Sequence, residues 1–334
     1  MLPENATPSA IVKYLNQHVI GQDEAKRTLA VAVFAHYRKL AAAPGGPVTM
    51  DKSNVLLIGP TGTGKTLLCE TLSRFLAVPF VTSDATSLAQ TKYVGEEIEA
   101  IMQRLLEKAG GDARRAGQGI VFIDEIDKLK ARPGEPARVQ ATSGESVQHA
   151  LLKIMEGYPV KLPDNRYIDT SGILFICGGA FVGLEQIMEK SHSFGYIGTS
   201  SDDNQNILDR LNSRVKPTDL FEFGLIPEFT GRLPVIARFQ DLSKPMLVRV
   251  MTEPKNSIYN QFRQLLQNEG VELVIEAGVF EQIAEIAFEY KTGARSLRGI
   301  FEELLTPILY AVPDHKEIRR VVIKSLFEDP TYYK

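Results

Sequence analysis

The sequence predicts an α/β protein with a parallel sheet, followed by a smaller α-rich part. Apolar runs at residues 54–59, 79–84, 119–124 and 173–177 alternate with helix-like stretches at 65–76, 96–109 and 145–156. Continuous apolar strands separated by helices are typical of a parallel sheet buried on both faces. We therefore expect a large α/β domain over residues 1–240 and a small, mostly helical domain over residues 241–334.

A helical segment is expected ahead of the sheet. Apolar residues recur at three- and four-residue spacings over residues 10–40, which is the period of an amphipathic helix. The run AAAPGGP at residues 41–47 should end that helix, because proline and glycine interrupt regular structure.

The C-terminal part is expected to contain three helices and two short strands. Ser243 followed by Pro245 is a helix-start signal, and we expect this helix to extend to about Gln267. The other expected elements are a strand at 271–275, a helix with Val279 and Ile283 on its apolar face, a helix from Arg295 and a strand at 320–324. Helices therefore outnumber strands in this part.

Composition excludes several classes of protein. The chain has 334 residues, of which 44% are hydrophobic and 24% charged, as in ordinary globular proteins and unlike disordered ones. No apolar run approaches the ~20 residues of a membrane helix, and the N-terminus lacks the pattern of a signal peptide. A net charge of −3 gives no support for a nucleic-acid partner. Two cysteines exclude a disulfide framework and favour a reduced, cytoplasmic location.

The strongest chemical signal is the run GPTGTGKT, from Gly59 to Thr66, between a strand pattern and a helix pattern. Glycines let backbone N–H groups wrap a phosphate chain, and the following helix directs its positive end at the anion. Lys65 would add a charge for the outer phosphates and Thr66 a hydroxyl for Mg²⁺. A chance glycine turn is the alternative. The candidate nucleotide-binding residues are Pro60, Thr61, Gly62, Thr63, Gly64, Lys65, Thr66 and Leu67.

A second signal is the run IVFIDE, where an apolar strand ends in Asp124 and Glu125. In nucleoside triphosphatases the first carboxylate holds Mg²⁺ and the second activates the attacking water as general base. Alone, such a pair is as often two solvated acids at the end of a strand. Because a phosphate-binding loop precedes it, we expect ATP hydrolysis with Asp124 at the metal and Glu125 as base.

Two arginines complete the candidate constellation. Arg232 lies in the run PEFTGRLP and Arg295 in the run TGARSLR. A guanidinium that reaches the γ-phosphate stabilises the charge of phosphoryl transfer. From periodicity alone, each of these arginines is more typical of a solvated surface.

Taken together, these residues resemble the ClpX family of protein unfoldases, in the Clp branch of the AAA+ ATPases. The resemblance extends from about Ile11 to Ile323. It is carried by VIGQ (19–22), GPTGTGKT (59–66), YVG (93–95), FIDEID (122–127), SGE (143–145), ILFICGGAF (173–181), FGLIPEFTGRLPV (223–235), EPKN (253–256) and KTGARSLR (291–298). Their combination and order are highly specific.

The resemblance implies a P-loop AAA+ domain and a small domain with ATP and Mg²⁺ between them, in a homo-hexamer. It implies that Val19 and Ile20 line the adenine pocket, although packing at a helix start is the alternative for both. It implies that Arg232 reaches into the neighbouring subunit's site and that Arg295, in the small domain, reports the γ-phosphate to the domain hinge. Both arginines would then act with Lys65 and Glu125 in hydrolysis.

The resemblance also implies a pore loop at Tyr93, Val94 and Gly95, where an aromatic side chain would grip an unfolded or tagged polypeptide during translocation. A packed tyrosine in a turn is the alternative. This sequence has Lys92 where the family usually has glycine. The family's recognition loop is contracted here to residues 158–172, with Lys161 and Arg166 as its cations.

The protease partner stays open. The family's docking loop for the protease ClpP carries an Ile-Gly-Phe tripeptide, which the corresponding stretch at residues 191–197 lacks. The alternative to a ClpP-linked unfoldase is therefore a protease-independent remodeller of protein complexes, and a less favoured one is an AAA+ nucleic-acid motor or loader. Two cysteines also predict a short form without the family's N-terminal zinc-binding domain, which needs four cysteine ligands.

Overall fold

The computed structural model describes residues 6–41, 52–90, 94–130, 144–192 and 214–334. Ten strands lie in these ranges: β1 (Val55–Ile58), β2 (Phe80–Asp84), β3 (Ile120–Asp124), β4 (Pro159–Lys161), β5 (Tyr167–Asp169), β6 (Leu174–Gly179), β7 (Val235–Arg238), β8 (Glu272–Ile275), β9 (Arg320–Ile323) and β10 (Thr331–Tyr333). Five of them form a parallel sheet in the order β2-β3-β6-β1-β7. The predicted α/β fold is confirmed.

Helices cover both faces of this sheet. In the described ranges they are α1 (Pro8–Leu15), α2 (Asp23–Ala41), α3 (Lys65–Leu76), α4 (Ala85–Gln90), α5 (Val94–Lys108), α6 (Ala113–Ala116), α7 (Gly144–Glu156), α8 (Leu184–His192), α9 (Pro217–Phe223), α10 (Pro227–Gly231), α11 (Lys244–Thr252), α12 (Ile258–Asn268), α13 (Ala277–Glu289) and α14 (Arg295–Ala311). Short 3-10 helices span Ile126–Leu129, Thr170–Gly172 and Val312–Asp314. In the described part of the chain, every helix is too short or too polar to span a lipid bilayer.

The strand register explains why the apolar runs are continuous. Leu57 and Phe122 belong to an apolar cluster with α1, α2 and α3, whereas Leu56 and Val121 belong to a second cluster with α4, α5 and α7. Successive strand residues point to opposite faces, so a sheet covered on both sides needs apolar residues at every position. The carboxyl ends of the parallel strands meet at one edge, where ligands of open α/β sheets bind.

The C-terminal part has its own core. Helices α11 to α14 pack with a three-stranded sheet, in the order β10-β9-β8, around a third apolar cluster. Strand β8 pairs with β9 in parallel and β9 with β10 antiparallel. The predicted α-rich C-terminal part is confirmed.

Two long helices predicted from the sequence are each broken in the structure. The segment from 10 to 40 forms α1 and α2, because Gly21 and Gln22 take left-handed φ values of 63° and 59° that no right-handed helix accommodates. The segment from 243 to 267 forms α11 and α12. Pro254 interrupts it, and Ser257 begins the second helix by accepting a hydrogen bond from the Asn260 N–H. Strands β4, β5, β7 and β10 were not predicted.

Candidate active site

The loop between β1 and α3 is the floor of the candidate site. Gly62 and Gly64 have φ values of 79° and 94°, a region that side chains rarely allow, and α3 begins at the next residue, Lys65. Thr63 stabilises the loop by donating its hydroxyl to the Pro60 carbonyl at 2.8 Å. The loop therefore presents backbone N–H groups and a helix N-terminus to the same space, an arrangement that suits an anion.

Lys65 is folded back onto this loop. Its ammonium donates to the carbonyl oxygens of Gly59 at 2.7 Å and Pro60 at 2.9 Å, and the residue is only 7% exposed. Burial lowers the pKa of Lys65, while the negative charges of Asp124 and Asp127 act in the opposite direction. A phosphate group would replace weak carbonyl partners with a charged one, which makes the side chain suited to anion binding.

The two adjacent carboxylates reach one cleft because the backbone turns between them. Asp124 ends β3, and Glu125 has a left-handed φ of 58° that starts the following 3-10 helix. Asp124 Oδ1 accepts the Glu125 N–H at 2.9 Å, and Asp124 Oδ2 accepts the Thr66 hydroxyl at 3.5 Å. A strand that continued through Glu125 would direct the second side chain to the other face.

The oxygens of Thr66 and Asp124 fit a magnesium ion. Among the described residues, no group of three or more His, Cys, Asp and Glu side chains could hold a metal by itself. Mg²⁺ is commonly held by one or two protein oxygens together with substrate phosphates, and it needs no complete protein cage. One carboxylate and one hydroxyl beside a phosphate-binding loop match that requirement.

Most of the predicted nucleotide-binding and catalytic residues lie around one cavity. It measures about 370 Å³ and is lined by Thr61, Gly62, Gly64, Lys65, Thr66, Leu67, Asp124, Glu125, Asp127, Lys128, Ala180, Ala294 and Arg295. Arg295 comes from the C-terminal part, whose Ala294 N–H donates to the Gly62 carbonyl at 3.1 Å. The C-terminal part therefore closes over the phosphate-binding loop.

The segment before α2 lies beside this loop. Val19 and Ile20 are buried, at 4% and 6% exposure. A Cβ atom placed on Gly64 would come within 3.9 Å of Val19 Cγ1. An apolar side chain at this distance from the loop could contact the base or ribose of a nucleotide.

Arg232 lies apart from the cavity. It follows α10, and its guanidinium donates to Glu156 Oε1 from Nη2 at 2.6 Å and from Nε at 2.9 Å. Both side chains are about half exposed. Within a single chain, Arg232 is therefore not brought together with Lys65 and Glu125.

Part of the predicted pore loop and docking loop lies outside the described residues. Tyr93 and Lys92 belong to the undescribed segment 91–93, whereas Val94 and Gly95 form the first turn of α5. Residues 193–197 of the docking stretch are outside as well. A Cβ atom on Gly95 would meet nothing within 4 Å, so this turn is open on that side.

Sequence reasoning missed Asp127. Its carboxylate is 5% exposed, lines the cavity and accepts the Ala180 N–H at 3.2 Å. A Cβ atom on Gly179 would come 2.6 Å from Asp127 Oδ1, and one on Gly178 would come 2.8 Å from the Phe122 ring. Gly179 therefore makes room for the Asp127 carboxylate, and Gly178 makes room for the Phe122 ring. The sequence signal that could have indicated this contact is the glycine pair Gly178 and Gly179 at the end of β6.

Two family profiles match successive parts of the chain. Residues 50–236 match the profile of the AAA domain (Cdc48 subfamily), and residues 242–323 match the profile of the C-terminal, D2-small domain of ClpB protein. The chain is 43% identical to the ATP-dependent Clp protease ATP-binding subunit ClpX of Azotobacter vinelandii, over 96% of this chain and 77% of the relative. It is 42% identical to the ClpX of Treponema denticola, over 96% of this chain and 80% of the relative.

The ClpX of Bacteroides thetaiotaomicron is also 43% identical, over 95% of this chain and 80% of its own length. The chain belongs to the ClpX family. The resemblance stated from the motifs is confirmed, and with it the AAA fold and the assignment as a nucleotide-binding ATPase of the unfoldase and translocase class. These relatives do not favour a nucleic-acid motor or a protease-independent remodeller.

Proposed function

We propose that this chain hydrolyses Mg²⁺-ATP to unfold and translocate protein substrates. The observation that carries the proposal is the cavity that Asp124, Glu125 and Arg295 line together with the loop from Thr61 to Thr66, which includes Lys65. Phosphoryl transfer depends on positioning and charge stabilisation, and this cavity combines both.

Within this site each residue has a proposed task. Lys65 would neutralise the outer phosphates, and Thr66 and Asp124 would hold Mg²⁺, which would supply Lewis-acid chemistry to the bound phosphates. Glu125 accepts the proton of the attacking water. Val19 and Ile20 contact the base, and Pro60, Thr63 and Leu67 maintain the loop around the phosphates.

Arg232 is proposed to act on a neighbouring subunit. Its half-exposed guanidinium lies outside its own cavity, so it is available to a second copy of the chain. A ring of identical subunits would place it against the γ-phosphate next door, and a homo-hexamer is the proposed assembly. Mixing Arg232→Ala with Glu125→Gln subunits should restore hydrolysis, because some interfaces would then pair an intact Arg232 with an intact Glu125.

The remaining assignments rest on the relatives and the sequence. We propose a large domain over residues 1–240 and a small domain over 241–334, with Arg295 linking them. Tyr93, Val94 and Gly95 are the proposed pore loop for unfolded or tagged proteins. The relatives are ATP-binding subunits of the ATP-dependent Clp protease, which makes the protease ClpP the candidate partner of this chain. A cytoplasmic location stays a prediction from the two reduced cysteines.

The chemistry is tested by Glu125→Gln. We expect ATP binding within a few-fold of the unaltered chain and hydrolysis slower by about 100-fold or more, because a general base is removed while the binding groups stay. Glu303→Gln, an exposed position on α14, is the matched control and should hydrolyse ATP normally. Normal turnover by Glu125→Gln would contradict the assignment.

The unfolding activity is tested separately, with a tagged fluorescent protein as substrate. Loss of fluorescence that needs ATP, with or without ClpP, is the expected result. Degradation fragments only when ClpP is present would identify ClpP as the partner. ATP hydrolysis without any loss of fluorescence would contradict unfolding while leaving the ATPase assignment intact.

A further inference from the structure

The base-side segment Val19–Gln22 is fixed to helix α2 by a buried lysine. Lys26 donates from Nζ to the Val19 carbonyl at 2.6 Å and to Asn16 Oδ1 at 2.8 Å. The whole residue is only 1% exposed, so its ammonium exchanges these partners for water with difficulty. One end of the segment is therefore held in place independently of any ligand.

The other end of the segment is hydrogen-bonded to the connector between β7 and α11. Gln22 donates from Nε2 to the Gln240 carbonyl at 2.8 Å, and its Oε1 accepts the Gln240 N–H at 2.9 Å. Gln240 lies between β7 and α11. One side-chain amide thus satisfies both backbone groups of a connector residue, and the Gln22 residue is buried at 7% exposure.

Backbone conformation and packing at this point support a positioning role. Gln22 has a φ of 59°, an unfavourable value for a residue with a side chain, and such strain persists where the surroundings over-determine it. The preceding Gly21 faces the terminal methyl of Met246 on α11. The Gln17 carbonyl also accepts the Lys255 N–H at 3.3 Å, which is a further link to the C-terminal part.

We propose that Gln22 is a positioning residue that couples occupation of the Val19–Ile20 segment to the connector at Gln240 and so to α11. Lys26 holds the segment on one side and Gln22 transmits its position on the other. The Gln22 amide carries a donor and an acceptor side by side, so one side chain donates to the Gln240 carbonyl and accepts from its N–H at once. The inference rests on the proposed nucleotide site and does not depend on protein unfolding.

Hydrogen exchange of residues 240–252, with and without a slowly hydrolysed ATP analogue, tests the coupling. In the unaltered chain the analogue should change exchange in this stretch by about five-fold or more, the lower range of coupling between sites. In Gln22→Met and Gln22→Glu we expect nucleotide affinity within a few-fold and a nucleotide-dependent change of less than half that of the unaltered chain. Gln267→Met, at an exposed glutamine of α12, is the matched control.

Gln22→Gly separates the amide from the strain. Glycine accepts the left-handed conformation, so this variant keeps the local backbone and loses only the two hydrogen bonds to Gln240. It should behave like Gln22→Met. A normal nucleotide-dependent change in any of the three variants would overturn the role of Gln22. An unaltered chain that fails to bind the analogue would overturn the nucleotide site itself, which is a distinguishable result.

Discussion

The two ends of the candidate nucleotide site each contain a buried lysine, but the two lysines are held differently. At the phosphate end, Lys65 donates to two carbonyls of its own loop beside an open cavity. At the base end, Lys26 is enclosed, with Asn16 Oδ1 and the Val19 carbonyl as hydrogen-bond partners and Asp23 as an ion-pair partner at 3.9 Å. Burial lowers the pKa of both ammonium groups.

The difference shows how a buried charge can serve binding or architecture. The partners of Lys65 are close in sequence and can be exchanged for a ligand, so the folded chain does not depend on them. The partners of Lys26 join the end of α1 to the base-side segment, and no ligand can replace them. We therefore expect substitutions at the phosphate end to affect binding and those at the base end to affect stability.

The largest expected effect is on ATP affinity in Lys65→Met. Losing charge-assisted hydrogen bonds to phosphate, each worth about 1.5–3 kcal/mol, should weaken binding by about 10- to 100-fold. The free energy of unfolding should change by less than about 1 kcal/mol, because Lys65 lines an open cavity and water can enter the place that its ammonium leaves. Titration with a fluorescent ATP analogue and urea denaturation measure the two quantities. If Lys65→Met lost stability but kept its ATP affinity, Lys65 would have the structural role that we assign to Lys26.

Lys26→Met should give the opposite result. It leaves the buried Val19 carbonyl without its donor, which costs about 1–3 kcal/mol of unfolding free energy, whereas the exposed Asn16 side chain can turn to water. Arg27→Met, at the exposed neighbouring position of α2, should stay within about 0.5 kcal/mol of the unaltered chain. Equal denaturation midpoints for the two methionine variants would contradict an architectural role for Lys26.

Gly62 at the phosphate end and Gly21 at the base end both have left-handed φ values, so alanine substitutions there compare the two ends of the site again. At Gly62 a Cβ atom would meet the Thr292 carbonyl oxygen at 2.2 Å, whereas at Gly21 it would meet the movable methyl of Met246 at the same distance. Both alanine variants have unfavourable φ values, about 1–2 kcal/mol each. Gly62→Ala should lose about 1 kcal/mol more, because a backbone atom must shift.

Gly299→Ala is the control for that pair. Gly299 lies inside α14 with nothing within 4 Å of its Cβ position, so alanine should stabilise the chain by about 0.5–1 kcal/mol. Denaturant unfolding of all three variants gives the ranking. If Gly21→Ala were less stable than Gly62→Ala, the Met246 side chain would not move aside as easily as this comparison assumes.

The phosphate end could be predicted from the sequence and most of the base end could not. GPTGTGKT is contiguous, its glycines act through local backbone geometry, and Lys65 and Thr66 open the helix that follows at once, so the spacing alone indicates the site. Gln22 and Gln240 are 218 positions apart and have no chemical pattern in common. Lys26 lies within a helical pattern, where a lysine is ordinarily assigned to the solvated face. Its burial depends on the packing of α1 against α2, which the pattern does not contain.

The same reasoning applies to the elements of the fold. Strands β1, β3 and β6 contain continuous buried runs, and β2 begins with the apolar pair Phe80 and Val81, which is why all four were predicted within two residues. Strand β7 was missed because its run is short and includes Arg238 at the edge of the sheet. Asp127 was missed because its role depends on its contact with the glycine-rich end of β6, and Asp127 and Ala180 are 53 positions apart in the sequence.

The smallest expected effect concerns Arg232, which is neither buried nor inside the cavity. Its pair with Glu156 is about half exposed on both sides, and such pairs contribute less than about 1 kcal/mol. Glu156→Gln should therefore leave the unfolding free energy almost unchanged, and the small difference should vanish in 1 M salt, where the screening length is about 3 Å. Glu253→Gln, which removes the exposed pair with Arg249, is the control. A loss above about 2 kcal/mol for Glu156→Gln would mean that the pair fixes α10 against α7, and Arg232 would then be held by its own chain instead of being free for a neighbour.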